Sequence, residues 1–279
     1  MTLHQEFVTG RVVRRRDLNP SLMILWIEPQ SPIPFKPGQY VTLGIDGIER
    51  PYSIASAPHE RLIELFLELA PTDLQTPDTL TVRLFQLQPG HEVTLRPKAK
   101  GGFLLDPHYD VQVLVSTVTG VAPYVSMLRA YAQRTAEQPD GYYGRRFTRV
   151  YVFQGASYQD EFGYAEELSA LAEADFTILY RNTVSQIPGL EREPGRNRGW
   201  VADERRHDIL RVNRNLLWYF GQYGIRPDDA TCVYVCGHGG MVNDLTFGSA
   251  RAEAQRVGAS HPAGQLVQLG YHVHKETYF

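Results

Sequence analysis

The sequence predicts an antiparallel β-barrel followed by a parallel α/β domain. Two textures and one scale carry that expectation. Residues 7–105 read as short apolar strands punctuated by turn residues, the pattern of an antiparallel barrel. After Pro107 the chain repeats apolar strand, loop and amphipathic helix, the pattern of a parallel sheet with helices on its faces. With 279 residues, 43% of them hydrophobic, the chain exceeds the usual single-core size and has the material for two. The change of texture divides it into domains 1–107 and 108–279.

In the first domain, strands are expected at Phe7–Arg15, Leu22–Ile27, Gln39–Gly44, Tyr52–Ala55, Leu62–Leu69 and Glu92–Arg96. Leu62–Leu69 is too apolar for clean alternation, so it predicts a strand with most of its surface covered. Pro37-Gly38 suits a tight turn, because proline fixes φ and glycine accepts positive φ. Thr79–Leu84 reads as a short threonine-capped helix, with Leu87-Gln88-Pro89-Gly90 turning the chain after it. In the second domain, strands are expected at Val111–Thr117, Arg149–Gln154, Thr177–Tyr180 and Cys232–Cys236. The helices are Pro123–Arg134 with proline in its first turn, Asp160–Ala172 behind an acidic cap, and Gly240–Val257. Gln186–Arg206, rich in Pro, Gly, Arg and Glu, reads as a surface loop.

Composition narrows the function classes. A net charge of −3 offers no strong basic field for nucleic acid. No apolar run approaches the roughly 20 residues of a membrane span, and Met1–Gly10 lacks a signal-peptide pattern, so a cytoplasmic location is expected. Cys232 and Cys236 fall on one strand, which excludes a disulfide framework and leaves too few thiolates for a four-cysteine iron–sulfur cluster. Iron–sulfur chemistry, if used, belongs to a partner. The histidines His91, His108, His207, His261 and His272 have no metal-ligand spacing, and no metal is expected.

Four segments carry chemistry. In Arg50-Pro51-Tyr52-Ser53 an extended strand puts Arg50 and Tyr52 on one face, and a guanidinium fork with a tyrosine ring suits a pyrophosphate and a planar cofactor. A barrel strand with a surface salt bridge is the alternative. Thr79-Leu80-Thr81-Val82-Arg83-Leu84 opens a helix whose free N–H groups are a seat for phosphate, although on the residues alone a plain capped helix is the preferred reading. Ser116–Arg129, with Thr119-Gly120-Val121-Ala122-Pro123 at its centre, joins the first strand of the second domain to a helix, the place where parallel α/β sheets bind dinucleotides. Val233–Val242 runs a buried strand through Cys236-Gly237 into a glycine-rich turn and Met241. On residues alone Cys236 reads first as a small core hydrophobe.

Together, in this order, these segments resemble the ferredoxin–NADP reductase family, in particular its bacterial branch. The resemblance implies an FAD-binding barrel followed by a Rossmann-like nicotinamide domain. It further implies hydride transfer between NADPH or NADH and FAD, with single electrons exchanged with ferredoxin or flavodoxin. By resemblance Arg50 neutralises the FAD phosphates, with Pro51 beside it, Tyr52 packs on the isoalloxazine and Ser53 sits by the hydride-accepting nitrogen. Thr79, Leu80 and Thr81 make the second pyrophosphate contact. Thr119, Gly120, Ala122 and Pro123 match the family's Gly-Thr-Gly-x-Ala-Pro loop, with Val118 standing at its first glycine. Cys236, Gly237 and Met241 match the Cys-Gly-x-x-x-Met segment beside the reacting nicotinamide.

The segment His274-Lys275-Glu276-Thr277-Tyr278-Phe279 is similar to the family's terminal aromatic segment. The resemblance implies that Tyr278 stacks on the flavin, Phe279 packs near its adenine end, and Glu276 relays a proton or stabilises charge. Arginines that would take a 2′-phosphate are replaced by Ser157, Gln186 and Trp200, while Arg181, Arg192, Arg196 and Arg198 lie nearby. NADH and NADPH therefore both remain open. So do two other readings: the reductase component of an oxygenase, and a flavin-binding regulatory protein whose nicotinamide site has decayed. A monomer or a homodimer is expected.

Overall fold

The computed structural model describes residues 7–69, 79–136, 138–184, 213–246, 266–267 and 269–278. The chain forms two compact units, one of Met1–Leu105 with Ala122–Gly144 and one of Asp106–Val121 with Arg145–Phe279.

The first unit is a six-stranded antiparallel sheet of β1 (Val8–Asn19), β2 (Leu22–Pro29), β3 (Tyr40–Ile45), β4 (Ile48–Ser53), β5 (Ile63–Glu68) and β6 (Glu92–Leu95). Its order is β4-β3-β6-β1-β2-β5. The two edge strands are drawn together by a bridge between Ile54 and Leu65 and by the Ala55 N–H, which donates to the Glu64 carbonyl at 2.8 Å, so the barrel is nearly closed. Alternate residues fill the inside: Val12, Met23, Leu25, Ile27, Val41, Leu43, Leu65 and Leu95 are buried. Gly10 also points inward, where a Cβ would come within 2.6 Å of Ile27 Cγ2 and 2.9 Å of Leu95 Cδ1 and would force those side chains to shift.

The expected covering of the Leu62–Leu69 strand is present, because Glu64 and Phe66, on the opposite side of β5 from Leu65, are buried as well. The short helix α1 (Leu80–Phe85) packs against β3 and β4. Helix α2 (Ala122–Ala132) also belongs to this unit.

The second unit is a parallel five-stranded sheet of β7 (Val111–Thr117), β8 (Arg149–Ala156), β9 (Ile178–Val184), β10 (Thr231–His238) and β11 (His272–Tyr278), in the order β11-β10-β7-β8-β9. Its helices are α3 (Ala165–Ala174), α4 (Asn213–Tyr223) and α5 (Gly239–Thr246). Odd-numbered residues of β7, β8 and β10, such as Val113, Val115, Phe153, Val233 and Val235, pack with Leu216 and Phe220 of α4 and with Met241, Val242 and Leu245 of α5. That face is the core of the sheet.

Several elements differ from expectation: β1 and β9 each run four residues past their expected ends, and α4 occupies a stretch where no helix was expected. The Tyr52–Ala55 strand begins earlier, at Ile48, because Ile48–Ser53 pairs residue for residue with β3 in a hairpin turning on Asp46-Gly47. The Asp160–Ala172 helix splits into a 3₁₀ turn, Gln159–Glu161, and α3, with Gly163 between them. His272–Tyr278, read as a docking tail, is a strand hydrogen-bonded parallel to β10. The loop expected at Gln186–Arg206 and the part of the Gly240–Val257 helix expected beyond Thr246 fall outside the described residues. No helix among the described residues is long and apolar enough to cross a membrane.

Candidate functional site

In the barrel the expected residues gather on β4 and α1. Arg50, on edge strand β4 opposite Leu43, is exposed, and its guanidinium donates to the Glu49 carbonyl at 2.8 Å. Pro51 is tolerated because β4 is an edge strand and needs no amide donor there. Tyr52 rests against the barrel core while staying half-exposed, and Ser53, the last residue of the strand, is buried. The strand is held by Arg96, whose guanidinium pairs with Glu49 at 2.8 Å.

Helix α1 starts at the Thr79 cap, whose hydroxyl accepts the Val82 N–H at 3.4 Å, with Leu80 buried and Thr81 half-buried behind it. Arg83 near its end pairs with Asp46 at 2.7 Å, which ties the helix to the β3–β4 hairpin. Thus Arg50, Tyr52 and Ser53 share one strand, and Thr79, Leu80 and Thr81 open the helix packed beside it.

In the sheet the expected residues gather at the carboxyl ends of β7 and β10. These adjacent strands are the point where the order reverses, with β8 and β9 on one side and β11 on the other, and ligands of open α/β sheets bind outside such a point. After β7 the chain makes a 3₁₀ turn, Val118–Val121, and passes directly into α2 through Ala122 and Pro123, both buried.

The turn is pressed on the end of β10. A Cβ on Gly120 would fall 2.3 Å from the Cys236 carbonyl oxygen and 2.7 Å from Gly237 Cα. Gly237, at φ 139°, has its own Cβ position taken by Thr117, whose Oγ1 would be 2.1 Å away and accepts the His238 N–H at 3.0 Å. Backbone meets backbone here, and only glycine permits it at either position. Beyond, Gly239 starts α5, where among the described residues a Cβ would meet nothing within 4 Å.

Val118 takes a left-handed conformation, φ 39°, that a β-branched side chain rarely adopts. Its side chain packs with Ala156, Phe162 and Val184, an apolar contact that offsets part of the strain. The departure from glycine noted in the sequence is therefore a backbone feature as well as a chemical one.

Cys236 is fully buried, and its register partners are Ser116 on β7 and Glu276 on β11. Ser116 opens the loop segment read from the sequence, but sequence reasoning gave it no role of its own. Its hydroxyl is buried and, among the described residues, finds no hydrogen-bond partner. The available signal was its place as the next-to-last residue of the first parallel strand.

Cys232 lies at the other end of β10, where burial pushes its thiol up to about 11 against the opposing effect of its hydrogen bond to Tyr234. It remains protonated. Met241 packs into the helix-side core. Tyr278 closes β11 opposite His238, and Phe279 lies outside the described residues.

The loop after β8 also bears on the site. The Ser157 and Tyr158 N–H groups both donate to Glu161 Oε2, at 2.6 and 3.0 Å. Arg181 donates to the Tyr223 hydroxyl at 3.2 Å and to the Tyr180 carbonyl at 2.8 Å. Gln186, Arg192, Arg196, Arg198 and Trp200 lie outside the described residues. Among the described residues no group of His, Cys, Asp or Glu is arranged to hold a metal ion.

The oxidoreductase NAD-binding domain model matches residues 114–246. Ferredoxin–NADP reductase B of Sorangium cellulosum is 31% identical over 277 residues, covering 96% of each chain. The flavodoxin/ferredoxin–NADP reductase of Escherichia coli is 34% identical over 130 residues, 44% of this chain and 50% of that protein, so the match spans about half of that relative's length. Among solved structures, a ferredoxin NADP+ reductase from Neisseria gonorrhoeae with bound FAD and NADP superposes with a TM-score of 0.70 at 21% identity, covering 99% of this chain and 100% of that one. At that identity it speaks for the fold alone.

Proposed function

The chain belongs to the ferredoxin–NADP reductase family, and on that premise we propose that it is an FAD-dependent oxidoreductase moving a hydride between NADPH or NADH and FAD. Single electrons then pass to or from ferredoxin or flavodoxin. A flavin exchanges electrons in pairs or singly, which is the chemistry needed between a two-electron donor and a one-electron acceptor. Residues 1–107 would bind FAD and residues 108–279 the nicotinamide nucleotide. The protein would work in the cytoplasm, as a monomer or homodimer.

The residues present fit these groups. Arg50 is an exposed fork for the pyrophosphate, Tyr52 offers a half-exposed ring, and Ser53 holds a hydroxyl at the end of the same strand. Thr79, Leu80 and Thr81 would add the second phosphate contact from the helix beside it. For the nicotinamide nucleotide, Thr119 and Gly120 in the turn, with Ala122 and Pro123 opening α2, would border the pyrophosphate, and among the described residues nothing stands within 4 Å of a Cβ on Gly239. Cys236 and Gly237 would shape the approach of the ring, and the orphaned Ser116 hydroxyl is a buried donor for a polar group in that place. Glu276 would steady charge or relay a proton. Tyr278 would cover the flavin and yield to the incoming ring, and Phe279 would contact its adenine end.

The observation that carries this reading is the meeting of Gly120 with the Cys236–Gly237 backbone at the point where strand order reverses. The test is anaerobic titration of the purified protein with NADH and with NADPH, following flavin absorbance. At least one nucleotide is expected to bleach it. A protein that holds flavin and is bleached by neither would leave flavin binding without nicotinamide turnover, and the proposal would fail.

A further inference from the structure

The barrel and helix α2 share a buried polar junction to which neither the family resemblance nor the proposed chemistry assigns a role. Immediately after Ser53 the chain runs through Ile54, Ala55, Ser56 and Ala57, all buried. Three of these four residues are joined to α2, directly or through one carboxylate.

The Ser56 carbonyl accepts the Ser126 hydroxyl at 2.6 Å, and the Ala55 carbonyl accepts Arg129 Nη1 at 3.4 Å. The same guanidinium donates to Glu64 Oε2 at 2.6 Å and Oε1 at 3.4 Å, and to Glu60 Oε2 at 3.2 Å. Glu60 Oε2 also accepts the Ala57 N–H, at 2.5 Å. The Ser56 hydroxyl accepts the Glu64 N–H at 3.1 Å. The Glu64 side chain is 4% exposed and that of Arg129 17%, while Glu60, at 37%, reaches solvent.

Apolar contact alone would let a helix slide or roll on a barrel. A guanidinium held by two carboxylates and a carbonyl does not, because each bond fixes a direction as well as a distance. A buried ion pair adds little net stability over an apolar pair of similar size, and its attested use is to select one arrangement. Ser126 and Arg129 are three residues apart and so lie on one face of α2. Ser126 is four residues beyond Ala122, about 6 Å along the axis at the helical rise. Ala122 is bonded to Val121, the last residue of the turn that carries Thr119 and Gly120.

We infer that Arg129 is a positioning residue. Gripped by Glu64 and Glu60, it anchors α2 to the segment that follows Ser53, and so holds Ala122, the residue into which the Val118–Val121 turn runs. The inference rests on the proposed function for its kinetic consequence alone. Transfer of a hydride depends steeply on the placement of donor and acceptor, so a loosened anchor slows the reaction more than it weakens binding.

Two variants test it. Glu64→Gln with Arg129→Met removes the buried ion pair and leaves only the Glu60 carboxylate, which is 37% exposed and still accepts the Ala57 N–H, whereas Ser126→Ala removes one bond and keeps the ion pair. Amide hydrogen exchange on the protein as purified should accelerate across Val118–Ser126 by about tenfold or more in the double variant, and to a smaller extent in Ser126→Ala. Strands β8 and β9 should exchange as before. In rapid mixing with NADH and NADPH, the limiting rate of flavin reduction should fall about tenfold while the nucleotide Kd moves less than about threefold.

Unchanged exchange across Val118–Ser126 would overturn the inference, and so would a weaker Kd with an unchanged limiting rate. If the double variant does not fold, Ser126→Ala decides by the same two readings. Wild-type protein that is reduced by neither nucleotide would sink the proposed function, and the exchange measurement would still judge the anchor.

Discussion

Cys236 on β10 and Glu276 on β11 are register partners. Partners on neighbouring parallel strands face the same side, about 4.8 Å apart between backbones. A fully buried thiol and a half-buried carboxylate therefore stand side by side at the carboxyl end of the sheet, with the Ser116 hydroxyl on the other flank of Cys236. The pairing gives Glu276 a fixed place beside the residue expected to border the nicotinamide.

Glu276→Gln keeps shape and removes charge. It should slow flavin reduction by about tenfold to a hundredfold, the lower part of the range for a group that handles charge or protons in the transition state. Melting should stay within about 2 °C, because a half-exposed side chain contributes little to stability. Rapid-mixing absorbance and a thermal melt are the two measurements. A wild-type rate would remove Glu276 from the chemistry.

Val118→Gly sets two effects against each other. Glycine relieves a left-handed backbone, a gain of about 1–2 kcal/mol. It also loses the contact with Ala156, Phe162 and Val184 and adds chain entropy to the unfolded state, a loss of about the same size. Stability should change by less than about 1 kcal/mol in a urea titration. Nucleotide affinity should rise severalfold, because a glycine backbone allows closer approach of the pyrophosphate, as titration calorimetry would register. Weaker binding would mean that the valine conformation itself suits the ligand.

The barrel, the sheet and the motif loops were legible because their signals are local: alternation, apolar runs, and glycine or proline at turns. Long-range partnership was not. His272–Tyr278 carries polar residues at most positions and becomes a strand only by pairing with β10, some forty residues earlier in sequence. The association of α2 with the barrel depends on Ser126–Ser56 and Arg129–Glu64, contacts spanning 70 and 65 residues, which no periodicity reports. The positive φ of Val118 was hidden for a different reason, since valine gives no sign of such a conformation.

Acid should destabilise the α3–β9 junction in particular. Asp175 is partly buried, which by itself raises its pKa. The hydrogen bonds from Arg146 and from the hydroxyl and N–H of Thr177 outweigh this, and its pKa is held below the ordinary 3.8. A depressed carboxylate contributes stability that is fully present above its unfolded pKa and is lost as pH falls through the folded value. The contribution should therefore be constant above about pH 5, begin to fall as the pH nears 3.8, and be lost only at still lower pH, through the folded pKa. Asp175→Asn should melt lower than wild type at neutral pH, with the gap closing in acid. A gap independent of pH would show that shape and not charge matters at this position.

The loop after β8 should decide between the two nicotinamide cofactors. In sheets of this order, an acidic group near the end of the second strand bonds the ribose 2′-hydroxyl, whereas arginine there accepts a 2′-phosphate. Here the Glu161 carboxylate occupies the Ser157 and Tyr158 N–H groups, a placement that repels a second anion and takes up donors it would use. Arg181 is committed to Tyr223 and Tyr180. Replacing both features, with Ser157→Arg and Glu161→Gln, should raise kcat/KM for NADPH relative to NADH by about tenfold to a hundredfold, the worth of one hydrogen-bonded charge pair gained. The comparison is a ratio within one enzyme preparation, so losses of folded protein cancel. An unchanged ratio would place the choice of cofactor elsewhere in the chain.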